Sequence, residues 1–124
     1  MLFRSISNNS WGNGTNANAY DSYTAMFDGF VRDASSAGTI DPLLLVFSAG
    51  NSGPSASSLT RPKVAKNLIA VGNSENIRTE LGGTGANNID DLNSTSSRGP
   101  TADGRIKPDV IAPGSYIKIG RAHV

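Results

Sequence analysis

The chain has 124 residues, with 11 Lys and Arg, 10 Asp and Glu, one His and no Cys. That length allows one domain at most, and a net charge of +1 gives no reason to expect a nucleic-acid or membrane partner. The lack of Cys excludes disulfides, thiolate metal sites and a Cys nucleophile within this sequence.

Two short apolar stretches in the first half of the chain predict β-strands, at 2–6 and 43–47, of the kind that is buried in a parallel sheet. The segment between them, 20–36, predicts a helix. Its apolar side chains recur at helical spacing and make one face, formed by Tyr23, Met26, Phe27, Phe30 and Val31.

The ends of this predicted helix carry typical boundary residues. Asp21 or Ser22 can cap the N-terminus, and Gly38 lies where the C-terminal stop is expected. A strand, a helix and a strand in succession predict a βαβ crossover, so the first two strands should be parallel and adjacent.

The second half of the chain predicts a third strand at 67–74, a polar stretch at 78–97 with several turn signals, and one more short strand around Val110 and Ile111. The chain therefore has the pattern of part of an α/β domain.

The polar turns that follow the first two strands are the natural place for a ligand. In open parallel sheets, ligands bind outside the carboxyl ends of the strands. The turns at 9–12 and 48–54 should lie side by side there, and their glycines leave backbone open to an extended peptide. The side-chain amide of Asn51 can stabilise an oxyanion that forms on a bound carbonyl.

The order of the motifs resembles the catalytic domain of subtilisin-like serine proteases, the subtilases. The matching blocks run from about residue 5 to 117 and are NSWG at 9–12, FSAGN at 47–51, AKN at 65–67 before IAVG at 69–72, SSRGP at 96–100, and DGRIKPDVIAPG at 103–114. The resemblance implies a partial subtilisin-like fold, which is an incomplete three-layer α/β domain with a mainly parallel β-sheet flanked by helices.

The resemblance also implies roles for individual residues. Asn51 matches the oxyanion-hole asparagine of the family. In the family, one wall of the primary specificity pocket also pairs with the substrate backbone, and that wall corresponds to Ser10, Trp11 and Gly12. The opposite wall matches Ser48, Ala49 and Gly50.

Each of these residues also has a structural interpretation. Asn51 can be a loop residue that caps a turn, and Trp11 can be a half-buried core aromatic at the end of a strand. The small residues of both walls can serve tight packing alone.

The triad of the family has no counterpart in this sequence. The family's Asp and His blocks, and its Gly-Thr-Ser-Met-Ala block, are all missing, and a Ser hydroxyl without an adjacent base is a poor nucleophile. We therefore interpret the chain as an internal fragment of a serine endopeptidase that is inactive by itself. A non-catalytic pseudoprotease, acting as a peptide-binding or structural module, is the alternative.

The resemblance carries further expectations for the parent protein. It implies a protein or peptide substrate, no required cofactor, a monomeric enzyme and secretion, with structural calcium possible in some members. The Asp90–Asp91 pair is a candidate calcium ligand, although a solvated loop also explains it. Arg98 is a candidate ion-pair partner for Asp109.

The last residues differ from any continuation of the family. The run from Ile119 to Val124 looks like the translation of ATC GGA AGA GCA CAC GTC, the start of a common short-read sequencing adapter, and Lys118 fits the preceding codon. We predict that 118–124, including the one histidine, His123, is adapter read-through and that 1–117 is the central part of the catalytic domain. The alternative is an ordinary variable tail.

Overall fold

The computed structural model describes residues 5–14, 18–81 and 86–117. Within these ranges the chain forms β1 (Ser5–Asn9), α1 (Ser22–Arg32), β2 (Leu43–Ser48), β3 (Ile69–Ser74), a 3-10 turn (Thr79–Leu81) and β4 (Val110–Pro113). The predicted adapter segment 118–124, His123 and the first residues of the first predicted strand lie outside the described residues. No helix in the described part is long and apolar enough to cross a membrane.

The four strands form one parallel sheet in the order β1-β2-β3-β4. The βαβ crossover is confirmed, because β1 pairs with β2 along its whole length and α1 connects them. The first strand continues to Asn9, beyond the predicted end at residue 6, because Ser7–Asn9 pair with Leu45–Phe47. Both the third strand and the short fourth strand are present, so the structure confirms a partial α/β fold.

Helix α1 begins at the predicted N-cap. The Asp21 carboxylate accepts a hydrogen bond from the Thr24 backbone N–H (2.8 Å) and pairs with the Arg61 guanidinium (2.5 Å). These two donors hold the pKa of Asp21 at about 2. The cap therefore also ties the helix to the loop that follows β2.

The end of α1 differs from the prediction. The helix stops at Arg32, and Asp33 is already extended, with φ −159° and ψ 111°. The Asp33 carboxylate accepts hydrogen bonds from the backbone N–H groups of Ser35 and Asp41, which compete with helical pairing. Gly38 has a positive φ of 76°, but it lies in the loop beyond and is not the stop.

The hydrophobic core lies between α1 and one face of the sheet. Helix, strands and the loop between β2 and β3 all contribute to it, and its buried members are Phe27, Val31, Leu45, Phe47, Leu59, Val64, Ala65, Leu68 and Ala70. Side chains on the other face of the sheet are more open, as Ile6 is 69% exposed and Val110 is 50% exposed. The described residues thus cover one face of the sheet with a continuous core.

The charged residues before β4 do not pair as the sequence suggested. The Asp109 carboxylate accepts hydrogen bonds from the Lys107 ammonium (2.6 Å) and from the Ala70 backbone N–H (2.7 Å). Arg98 instead donates to the backbone carbonyls of Leu92 and Asn93. The proposed Arg98–Asp109 pair is therefore wrong, because Lys107 is two residues away and reaches the carboxylate first.

The difference between the two faces of the sheet leads to a stability prediction for the 124-residue chain. Leu45→Ala should lower the free energy of unfolding by about 2–5 kcal/mol, because it opens a cavity in the core. Ile6→Ala, on the exposed face of the neighbouring strand, is the control and should change it by less than about 0.5 kcal/mol. Urea denaturation followed by circular dichroism measures both values, and equal losses would contradict this assignment of the faces.

Candidate functional site

The candidate site lies at the carboxyl ends of the strands. A cavity of about 300 Å³ opens there on the exposed face of the sheet, and residues from all four strands line it. Ser10 and Ser48, from the two predicted walls, both contribute to this lining, together with Asn73 and Gly114. The expectation that the turns after β1 and β2 lie side by side is therefore met at these two residues.

The loop after β2 is held in place by backbone hydrogen bonds. Ala49 is buried, and its N–H donates to the carbonyl of Val71 on β3 (2.8 Å). The carbonyl of Gly50 accepts from the N–H of Ser97 (2.9 Å), and the N–H of Ser52 donates to the Ser97 hydroxyl (3.0 Å). The segment that contains the predicted wall is thus fastened to β3 and to the turn near Ser97.

Gly53 allows the same loop to approach the 94–97 turn very closely. Its N–H donates to the carbonyl of Thr95 (2.9 Å). A Cβ at this position would overlap the backbone of Ser94 and Ser96, so only glycine fits without a shift of backbone.

Asn51 is exposed between these anchored neighbours. No described residue forms a hydrogen bond with its side-chain amide, whereas Gly50, Ser52 and Gly53 are all bonded through their backbone. The amide is therefore available to a ligand on a loop whose position is set by its neighbours. Its role in an oxyanion hole stays a prediction.

Trp11 lies half-exposed over the end of the core. Its ring packs edge-on against Phe47 (5.2 Å between centroids) and tilts against Phe27 (5.9 Å), and 45% of the residue remains exposed. Its indole N–H donates to the Asn9 side-chain oxygen (3.1 Å). These contacts agree with the half-buried aromatic interpretation and leave an open surface for the predicted pocket wall.

Gly12 and Gly50, one from each predicted wall, meet at Lys63. A Cβ at Gly12 would overlap the Lys63 ammonium, and a Cβ at Gly50 would lie 3.1 Å from it. The ammonium donates to the Thr60 hydroxyl (3.2 Å). The structure thus brings both glycines next to one charged group that sequence reasoning missed.

Lys63 is buried without a counter-ion. Only 5% of the residue is exposed, and no carboxylate in the described ranges lies within ion-pair distance of its ammonium. Burial lowers the pKa of this ammonium. The available sequence signal was a Lys placed directly before Val64 and Ala65, both of which are buried.

No cluster of metal-ligating side chains is found in the part of the chain that the structure describes, since no three His, Cys, Asp or Glu residues come together there. Asp91, a calcium candidate, uses its backbone carbonyl to accept a hydrogen bond from Glu75 (2.8 Å). A calcium role for Asp90 and Asp91 stays a prediction.

Together, the fold and the polar turns define an α/β protein whose candidate ligand site lies at the carboxyl ends of parallel strands. The sequence matches the Subtilase family over residues 4–123. The chain therefore belongs to the subtilase family.

Individual relatives agree with this assignment. Serine protease AprX of Bacillus subtilis (strain 168) is 38% identical over 87 residues, which are 70% of this chain and 18% of AprX. The Serine protease/ABC transporter B family proteins tagB and tagD of Dictyostelium discoideum are each 53% identical over 36 residues, which are 29% of this chain and 2% of each relative. The chain thus spans a small part of the length of these relatives.

The close contact of Gly53 with the 94–97 turn leads to a second prediction. Gly53→Ala should lower the free energy of unfolding by about 1–3 kcal/mol, because the new methyl group meets rigid backbone. Gly14→Ala is the matched control, since a Cβ at Gly14 would meet nothing within 4 Å. Thermal and urea unfolding measure both variants, and a Gly53→Ala protein as stable as the control would contradict the packing described.

Proposed function

We propose that this chain is the central part of the catalytic domain of a subtilisin-like serine endopeptidase that hydrolyses peptide bonds through an Asp-His-Ser triad outside the present sequence. The observation that carries the proposal is the position of Asn51. Within a subtilase segment, this residue presents an unbonded amide on the anchored loop that follows Ser48, a residue of the cavity lining. That placement suits a donor that must already be aligned when negative charge develops.

In the proposed reaction, the triad serine attacks the scissile carbonyl and the Asn51 amide donates a hydrogen bond to the resulting oxyanion. The donor gains strength as charge moves onto that oxygen, so it stabilises the transition state more than the bound substrate. The backbone fastening of Gly50, Ser52 and Gly53 reduces the reorganisation required at that moment.

The substrate of the proposed enzyme is an extended peptide. Residues Ser10, Trp11 and Gly12 are exposed beyond the end of β1, where an added strand can pair with free backbone groups. Ser48, Ala49 and Gly50 form the opposite wall. The proposal includes a secreted, monomeric parent enzyme that requires no cofactor, with structural calcium as an option elsewhere in the parent.

The oxyanion role of Asn51 is tested in the full-length parent enzyme. Asn51→Ala should lower kcat by about 10²–10³-fold with little change in KM, a range already established for the oxyanion-hole asparagine of subtilisin itself. Ser52→Ala, which changes the neighbouring exposed side chain, is the control and should leave both constants near wild type. A loss confined to KM would contradict the role.

The isolated 124-residue chain should hydrolyse no peptide above background, because a serine hydroxyl without its base is a poor nucleophile. Incubation with a chromogenic tetrapeptide and labelling with a fluorophosphonate measure this. Turnover that the fluorophosphonate blocks would contradict the prediction.

If the complete coding sequence has no Asp, His and Ser blocks, the endopeptidase proposal fails and the peptide-binding alternative takes its place.

A further inference from the structure

Lys63 lies where the two proposed walls of the specificity pocket approach each other. Its ammonium is in contact range of both Gly12 and Gly50. Because both wall residues are glycines, no side chain of either one separates the ammonium from the space between the walls. Lys63 therefore brings a positive charge next to both of these wall residues.

The hydrogen-bonding capacity of this ammonium is mostly unused. A lysine ammonium has three N–H donors, and among the described residues only the Thr60 hydroxyl accepts from it (3.2 Å). A buried charge without hydrogen-bonded partners is costly. An incoming group that accepts the remaining hydrogen bonds and carries negative charge would offset that cost.

An acidic side chain that contacts this loop is already engaged. Arg61, two residues before Lys63, pairs with Asp21, and Asp21 also accepts from the N–H of Thr24. The charge of Lys63 is therefore not compensated by that carboxylate. The segment that contains Lys63 is held in place, because the neighbouring Leu59 and Val64 are fully buried.

We propose that Lys63 makes the pocket selective for an acidic substrate residue, so that the enzyme prefers Asp or Glu on the amino side of the scissile bond. This inference rests on the proposed function, because it takes the 10–12 and 48–50 segments as the pocket walls. A substrate carboxylate between them accepts hydrogen bonds from the ammonium and forms an ion pair in a site with little water, where such pairs are strong. Trp11 offers an apolar surface to the rest of the peptide.

The first test uses the full-length parent enzyme and tetrapeptide substrates that differ only in the residue before the scissile bond. We expect kcat/KM for Glu to exceed that for the isosteric Gln by about tenfold or more. Lys63→Gln should abolish this ratio, and Lys63→Arg should retain most of it because it keeps the charge. Lys66→Gln is the matched control; Lys66 is exposed and its ammonium lies over the Tyr20 ring, 4.5 Å from the centroid.

Three kinetic results would overturn the inference while leaving the endopeptidase function intact. One is a wild-type enzyme that treats Glu and Gln alike, and another is an acidic preference that survives in Lys63→Gln. The third combines two observations: the wild-type enzyme prefers Ala before the scissile bond, and the Lys63→Gln variant accepts larger residues there. That result would mean that Lys63 only fills the pocket.

A second test remains decisive if the parent hydrolyses no peptide, which would refute the proposed function. The 124-residue chain is titrated with acetyl-Ala-Ala-Ala-Glu-amide and with the Gln peptide, using the fluorescence of its one tryptophan, Trp11. Tighter binding of the Glu peptide, by about tenfold, that disappears in Lys63→Gln supports the inference. Equal binding of both peptides, or binding of neither, overturns it.

Discussion

The packing of Phe47 is the contact on which most of this structure depends. The residue is fully buried on β2, a strand that pairs with both β1 and β3, and its ring meets Phe27 of α1 and Trp11 after β1. It therefore joins the helix, the sheet and the first polar turn in one cluster. Ser48 and Ala49 come directly after Phe47 in the chain, so the packing of the core also sets the position of the start of the candidate site. Residues this close to a packed aromatic cluster can change position very little.

The second constraint is the fastening of the loop after β2 by the distant 94–97 turn. Ser97 contributes both its backbone N–H and its hydroxyl, and Gly53 permits the close approach. The exposed Asn51 amide lies between these fastened points. This arrangement has a clear physical purpose in the proposed reaction, because a donor contributes most to catalysis when it does not have to be oriented during the step. The polar 78–97 stretch, which shows few features in sequence, thus supports the site.

Local patterns predicted the elements of the fold well and their ends less well. The apolar period of 20–36 and the Asp21 cap correctly indicated α1, but its early stop depends on hydrogen bonds that Asp33 forms with Ser35 and Asp41 in the loop beyond. The motif order correctly indicated the family and the neighbouring turns. It gave no indication of Lys63 beside Gly12 and Gly50, since that contact joins the turn after β1 to two separate positions of the loop after β2. The Arg98–Asp109 expectation failed for a similar reason, because geometry favours Lys107.

The loop between β2 and β3 combines the two proposed functions with a part of the core. It carries Asn51 near its start and Lys63 near its end, while Leu59 and Val64 between and beside them are fully buried. Burial of these apolar side chains stabilises the loop, and that stability offsets the cost of holding a lysine charge without a counter-ion. Catalytic alignment and substrate charge preference would then share a single folded segment. A change in the apolar residues of this loop should consequently disturb both, even though Leu59 and Val64 are themselves fully buried.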